Sequence, residues 1–270
     1  MGKPMHWPAE MIWEALVPEL PGFSVEVLAQ VDSSNSELMR RARAGQHEPV
    51  LLVAEQQTAG RGRLGRQWFS ENTTAALAFS LGLPFSPRDW SGLSLAVGVS
   101  VAQSLHPELR LKWPNDIWWQ DRKLAGILIE TASLGTSRYL VVGVGINIEQ
   151  PQATGLATPP AWLQELLPGI DAAQTLLRVA QPLLRAIKVF EQSSFLPFQA
   201  PFNERDALSG LSVTLSDGMS GIARGVDAGG ALCVQTVQGL KLISSSEVSV
   251  RPVPALNPAS HGPAPSIGPL

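Results

Sequence analysis

The densest chemical signal in this 270-residue chain is the run Gly60-Arg61-Gly62-Arg63-Leu64-Gly65-Arg66. Its guanidiniums offer forked N–H donors that match phosphate or carboxylate, and its glycines let the backbone approach such an anion closely. In form the run also fits Gly-x-Gly-x-x-Gly, the phosphate turn of a dinucleotide fold. That reading fails because Gln67-Trp-Phe-Ser70 follows it in place of a helix. It also lacks a ribose partner, since no Asp or Glu lies between Asn72 and Arg88. An arginine-lined anion clamp accounts for the run better than a dinucleotide turn or an idle surface loop.

Composition narrows the remaining classes. Lys plus Arg number 20 and Asp plus Glu 23, a net charge of −3, which is the wrong sign for DNA binding over the whole surface. Charged residues make up 16% and hydrophobic ones 44%, the balance of a folded chain with a sizeable core. The length favours about two domains. Cys233 has no intramolecular disulfide partner, and His6, His47, His106 and His261 show no metal-ligand spacing, so no metal site is assigned. The longest weakly polar runs, 93–105 and 139–148, fall short of the ~18–20 apolar residues that span a bilayer. Glu10 and Glu14 interrupt anything resembling a signal sequence. A cytoplasmic chain is expected.

The elements that must position the clamp follow from periodicity and turn chemistry. Residues 24–31 alternate like a strand, and a helix follows, with Ser34 and Glu37 reading as a capping box and Gly45 as its C-terminal cap. Residues 49–54 read as a buried strand, 55–71 as the loop, 75–83 as a strand and 91–105 as a buried helix. Short strands are expected at 109–113, 117–120 and 124–131, and another at 138–148. A proline-rich loop at 151–160 precedes helices at 162–167 and 171–192, the second breaking or kinking near Pro182. From Gly210 five short apolar runs separated by tight-turn residues predict a small β-barrel. The last eighteen residues hold five prolines and little to bury, and are expected to be disordered.

Four segments in this order carry a family resemblance: Val31-Asp-Ser-Ser-Asn35, Glu55-Gln-Gln-Thr-Ala-Gly-Arg-Gly-Arg-Leu-Gly-Arg-Gln-Trp-Phe-Ser70, Lys112-Trp-Pro-Asn-Asp-Ile117 with Lys123-Leu-Ala-Gly-Ile-Leu-Ile-Glu130, and Gly143-Val-Gly-Ile-Asn147. Together with the terminal barrel they span residues 24–252 and resemble the biotin–protein ligases, in a ligase-only form. The resemblance implies an α+β fold. A mixed β-sheet catalytic domain flanked by helices, like class II aminoacyl-tRNA synthetases, would occupy 1–209, a small SH3-like barrel 210–252 and a disordered tail 253–270. It implies a carbon–nitrogen ligase of the biotin–[acetyl-CoA-carboxylase] type. Biotin attacks the α-phosphorus of ATP to give biotinyl-5′-AMP and pyrophosphate, and a lysine of a biotin carboxyl carrier domain then takes the biotinyl group and releases AMP. ATP with Mg²⁺ is a co-substrate, and no permanently bound cofactor is implied.

The first step brings two anions together, and a unit pair 4 Å apart repels by ~4 kcal/mol at an effective dielectric near 20. Left uncompensated, that slows the reaction about a thousandfold. Arg61, Arg63, Lys112 and Lys123 are the cations expected to compensate.

Carried over by position, Ser33, Ser34 and Asn35 resemble the residues that hydrogen-bond the ureido ring of biotin, with Gln57 a further contact. Ser34 stands where the family commonly has threonine, which keeps the hydroxyl. Arg61-Gly62-Arg63 would close over carboxylate and phosphates, and Lys123 would reach both. Asp116 positions Mg²⁺ or the incoming lysine, or else is only a turn residue after Pro114. Trp68 would cover the ligand, whereas Trp113, Trp118 and Trp119 read as core. The resemblance also places Gly60, Asn115, Gly126 and Asn147 among the binding residues. The loop at 55–71 is expected to order over the adenylate.

Lipoate ligases and octanoyl transferases share this kind of fold, but the Arg-Arg-x-x-Gly-Gly-Gly signature is missing and Cys233 is far from the motifs. A biotin-sensing repressor would need a basic N-terminal helix-turn-helix, whereas residues 1–22 are net acidic, so DNA binding is not expected. No membrane association is expected, and a homodimer is compatible with the resemblance.

Overall fold

In the computed structural model, residues 5–68, 75–135, 137–152, 158–216, 218–244 and 250–252 are described. The tail expected to be disordered, 253–270, lies outside them, as do residues 69–71 of the arginine loop and 153–157 of the proline-rich loop.

In chain order the larger part runs α1 (Ala9–Leu16), β1 (Ser24–Leu28), α2 (Ser34–Arg43), β2 (Val50–Ala54), β3 (Ala76–Phe85), α3 (Leu93–Leu105), β4 (Arg110–Lys112), β5 (Asp116–Trp119), β6 (Arg122–Leu134), β7 (Ser137–Asn147), α4 (Ala172–Ser193) and α5 (Leu196–Arg205). Its strands form one mixed sheet in the order β1-β2-β3-β7-β6-β5-β4. Only β1 and β2 pair in parallel, joined by α2; the other neighbours are antiparallel.

Period-two alternation divides this sheet chemically. Leu77, Phe79 and Leu81 of β3 and Val142, Val144 and Ile146 of β7 enter the large core, which α1, α3 and α4 cover. The opposite face carries Ala78 and Ser80, Gly143 and Gly145, and Gly126 and Leu128 in matching register. There α2 covers only part of the sheet, through a second cluster that includes Leu38, Met39, Tyr139 and Val141. The small residues beyond it leave the hollow that becomes the site.

Several sequence expectations need correction. The N-cap of α2 is Ser33, whose Oγ accepts the Ser36 N–H at 3.5 Å. Ser34 is unavailable as a cap because its hydroxyl is taken by Gln57 and Ser80. Glu37 does not complete a capping box but pairs with Arg40 and Arg41. Gly45 does take the left-handed conformation, at φ 88°. The helix expected at 162–167 is a single 3₁₀ turn, Leu163–Glu165. Helix α4 runs unbroken through Pro182. The carbonyl that proline leaves without a donor belongs to the exposed Arg178, where water can serve it. Helix α5 is not among the elements expected from the sequence; Pro197 sits in its first turn, where proline is tolerated, and burial of Phe198 and Phe202, one turn apart, outweighs the cost of Pro201 inside it.

The C-terminal strands β8 (Ser212–Leu215), β9 (Ser220–Val226), β10 (Leu232–Thr236), β11 (Gly239–Ile243) and β12 (Val250–Pro252) form an antiparallel sheet in the order β11-β10-β9-β8-β12. This agrees with an SH3-like module, except that β11 and β12 share no ladder among the described residues, so the sheet is not closed as a barrel. Val213, Leu215, Ala223, Val226, Leu232 and Val234 belong to the same apolar core as the seven-stranded sheet. Trp113 Nε1 donates to the Gly230 carbonyl across the junction at 3.1 Å.

Asp206, at the entry to this sheet, is 7% exposed. Its Oδ1 accepts the Leu208 N–H at 2.9 Å, while Oδ2 is buried without a hydrogen-bond partner among the described residues. Burial pushes its pKa up to about 6, against smaller opposing effects of the Leu208 amide and Arg110. A raised folded-state pKa makes an acid's contribution to stability fullest below its unfolded pKa, and that contribution is lost as pH rises through about 6. Asp206→Asn should therefore gain on wild type between pH 4 and pH 7, by on the order of 3 kcal/mol. Urea unfolding at both pH values measures this. The same wild-type-to-variant difference at both would overturn it.

Candidate active site

A cavity of about 230 Å³ opens on the small-residue face, between α2, the arginine loop and strands β3, β6 and β7. Its floor depends on missing side chains. A methyl on Gly143 would overlap the Asn35 amide, and one on Gly145 would overlap the Trp68 indole. At Gly126 a methyl would stand 3.3 Å from Lys123 Nζ and 3.5 Å from the Trp68 ring. Glycines at alternate positions of one strand are the usual mark of such close approach.

One end of the cavity is neutral and hydrogen-bonding. The backbone N–H of Ser34 donates to Gln57 Oε1 at 2.8 Å, and its hydroxyl donates to the same oxygen at 3.2 Å. Ser80, fully buried on β3, has its hydroxyl 2.7 Å from Ser34 Oγ and 2.6 Å from Asn35 Oδ1. Asn35 Nδ2 donates to the Leu128 carbonyl at 3.2 Å and to Glu130 Oε2 at 3.0 Å. With both amide hydrogens engaged, Asn35 has its Oδ1 to show a ligand N–H.

The other end is cationic. The loop closes on itself through Gly62 N–H to the Arg66 carbonyl, 2.7 Å, and Trp68 N–H to the Gly60 carbonyl, 2.9 Å. A methyl at Gly60 would strike that Trp68 carbonyl. At the tip Leu64 and Gly65 have φ of 55° and 71°. The result is that Arg61, Arg63 and Arg66 face the cavity beside Lys123, with Asp116 the carboxylate among the described lining residues. Burial lowers the pKa of Arg63, Asp116 raises it, and the Arg66 charge lowers it; a guanidinium remains charged at neutral pH regardless.

Lys123 Nζ lies 2.7 Å from Asp116 Oδ1, an ion pair whose direction is off line for a hydrogen bond. It also stands 5.9 Å from the centre of the Trp68 ring, whose Nε1 is buried without a partner among the described residues. The backbone around Lys123 is pinned, because Asn147 Nδ2 donates to the Lys123 carbonyl at 3.3 Å and to that of Ala161 at 2.9 Å. Asn115 holds β6 by a reciprocal pair with Ile127, at 2.8 and 3.0 Å.

Residues 27–147 match the model of the Biotin/lipoate A/B protein ligase family, and residues 210–251 that of the Biotin protein ligase C terminal domain. The chain is 34% identical to the bifunctional ligase/repressor BirA of Escherichia coli over 250 residues, covering 87% of this chain and 77% of that protein. It is 35% identical to the biotin--[acetyl-CoA-carboxylase] ligase of Mycobacterium tuberculosis, covering 83% of this chain and 88% of the other. Among solved structures, it resembles the biotin protein ligase of Aquifex aeolicus in complex with biotin and ATP. That likeness has a TM-score of 0.72 at 30% identity over 85% of this chain and 99% of that one.

The chain belongs to the biotin protein ligase family. Within this ligase fold, Ser33, Ser34, Asn35, Gln57, Arg61, Gly62, Arg63, Trp68, Asn115, Asp116, Lys123, Gly126 and Asn147 all line one cavity, although they come from segments more than a hundred residues apart. Gly60, in the loop itself, is not among the lining residues and faces an adjoining hollow. Lys112 is not among the lining residues; its Nζ lies 5.1 Å from the centre of the Trp118 ring. Arg66, the third arginine of the clamp, does line the cavity. The motifs did not mark Ser80 or Glu130 as site residues. The only local sign of Ser80 was a lone hydroxyl inside the apolar strand Ala-Leu-Ala-Phe-Ser-Leu.

Proposed function

We infer that this chain is an ATP-dependent biotin–protein ligase that makes biotinyl-5′-AMP and transfers biotin to a lysine of a biotin carboxyl carrier domain. One observation carries the reading: a neutral hydrogen-bonding end and an end rich in cations share a cavity floored by glycines. A ureido ring suits the first end, where Asn35 Oδ1 accepts a ring N–H and Ser33, Ser34 and Gln57 complete the polar wall. The valeryl chain lies along the glycine floor under Trp68, which brings the carboxylate to Lys123 and the loop arginines.

In the first step a biotin carboxylate oxygen forms a bond to the α-phosphorus of ATP, and the bond to pyrophosphate breaks. Arg61, Arg63, Arg66 and Lys123 offset the repulsion between the two anions, and their positions are set before reaction. The neutral amine of the carrier lysine then attacks the acyl carbon, and AMP leaves. Asp116 lies where it can orient that amine once Lys123 turns to the phosphate. Mg²⁺ arrives with ATP as part of the substrate. Among the described residues no group of three His, Cys, Asp or Glu could hold a metal ion, so its ligands would come chiefly from phosphate oxygens, with Asp116 the nearest carboxylate.

We further propose that residues 1–209 act as the catalytic domain and 210–252 as a second domain, and that the arginine loop closes over the adenylate to exclude water. No helix among the described residues is long and apolar enough to cross a membrane. The test is incubation with labelled biotin, ATP-Mg and a biotin carrier domain, with labelled octanoate as the competing acid. Label on a single carrier lysine, dependent on ATP and from biotin alone, is expected. Octanoate should be disfavoured, because a linear chain leaves the polar end unpaired at about 1–3 kcal/mol per group; a preference for it would move the reading to the lipoate branch.

A further inference from the structure

Glu130 lies on β6 on the same face as Gly126 and Leu128. It is not part of the cavity wall, yet its two carboxylate oxygens reach opposite ends of the site. Oε2 accepts from Asn35 Nδ2 at 3.0 Å, and Oε1 pairs with the Arg61 guanidinium. These partners are 95 and 69 residues away in sequence. We propose that Glu130 is a positioning residue that couples the neutral end of the cavity to its cationic clamp, an inference that rests on the ligase reading above.

The chemistry of an ionised carboxylate makes the coupling directional. It only accepts hydrogen bonds, so it requires Asn35 to turn its NH₂ toward β6. The Leu128 carbonyl makes the same demand at 3.2 Å, and the Ser80 hydroxyl meets the Asn35 oxygen on the other side. A flipped Asn35 would set its oxygen against two acceptors. Glu130, together with the Leu128 carbonyl, therefore holds Asn35 so that it offers an acceptor to the cavity, which reads a ureido N–H.

Toward the loop the contact is to a single guanidinium nitrogen, which leaves other N–H groups of Arg61 for an anion. Gly60 and Gly62 flank Arg61 and give it a flexible backbone, so an anchor narrows where the side chain can be. Glu130 is the less exposed partner, at 23% against 46% for Arg61, and stands on a rigid strand. One carboxylate thus presets both recognition of biotin and retention of its adenylate.

Glu130→Gln tests this, because the isosteric amide can accept from one partner only by turning its NH₂ on the other. Three readouts are taken: biotin affinity without nucleotide, the rate at which preformed biotinyl-AMP leaves the enzyme, and Tm. Biotin Kd and the rate of adenylate loss should each rise at least fivefold, with Tm little changed. In an Arg61→Ala background the amide is free to turn its oxygen to Asn35, so Glu130→Gln should no longer speed adenylate loss and should weaken biotin less than it does with Arg61 present. If Glu130→Gln does not fold, Glu130→Asp keeps the charge but is one methylene too short to span both partners, and should raise both values. Wild-type values in a folded variant overturn the coupling while the ligase reading stands. So does an undiminished effect on adenylate loss in the Arg61→Ala background. A wild-type chain that binds no biotin overturns both.

Discussion

Lys123→Ala should lower the rate of pyrophosphate release from biotin and ATP to below a tenth of wild type, with the fold retained. The amine is the cation paired to Asp116 in the cavity, 2.7 Å from its carboxylate. Its removal takes one positive charge from beside two reacting anions and leaves one carboxylate uncompensated. A unit charge at 4 Å is worth ~4 kcal/mol at an effective dielectric near 20, which corresponds to about a thousandfold in rate. The tenfold threshold thus leaves wide room for partial exposure of the site. The fold should survive because the local structure is held by main chain: Lys123 N–H donates to the Pro159 carbonyl and the Lys123 carbonyl accepts from Ala161. Adding Asp116→Asn to Lys123→Ala removes the stranded carboxylate and should recover part of the loss. Pyrophosphate release above a tenth of the wild-type rate in Lys123→Ala would remove this lysine from the chemistry.

Gly143→Ala should weaken biotin binding tenfold to a hundredfold while leaving the affinity for ATP alone nearly unchanged. The added methyl overlaps the Asn35 side chain, with Asn35 Cγ 2.8 Å from its position. Asn35 stands in the first turn of α2 and is held from behind by Ser80 and Glu130, so it cannot yield without losing the orientation that presents its oxygen. Overpacking of this kind costs about 1–3 kcal/mol, and each 1.4 kcal/mol is tenfold in affinity. Calorimetry with biotin and with ATP separates the two ends of the site. A biotin Kd within threefold of wild type would show that this floor does not need to be bare.

The chemistry of the site was legible in sequence where neighbours in the chain act together. The arginine–glycine loop declared an anion clamp through residue type and spacing, and it does face the cavity with three guanidiniums. Strand and helix positions followed from periodicity, and the glycine after α2 from its need for positive φ. Local rules misled where burial overruled them. Phe198 and Phe202 sustain a helix despite Pro201 inside it, and Ser34 gives up the cap position because Gln57 and Ser80 compete for its hydroxyl.

What sequence by itself determined, then, was the inventory: the cations, the polar trio Ser33-Ser34-Asn35, the small residues of Gly143-Val-Gly145 and the order of the elements. Tertiary structure alone decided who meets whom. Pairing of β3 with β7 puts Ser80 opposite Gly143, and pairing of β6 with β7 puts Leu128 opposite the same glycine, so Asn35 finds a hydroxyl on one side and a carboxylate on the other. Lys112, expected among the compensating cations, is set by β4 against Trp118, while Arg66 lines the cavity with the other two arginines of the loop. Residue type sets what a side chain can do. Register between strands distant in sequence sets what it does it to, and a one-residue slip of a strand would put its share of these groups on the other face.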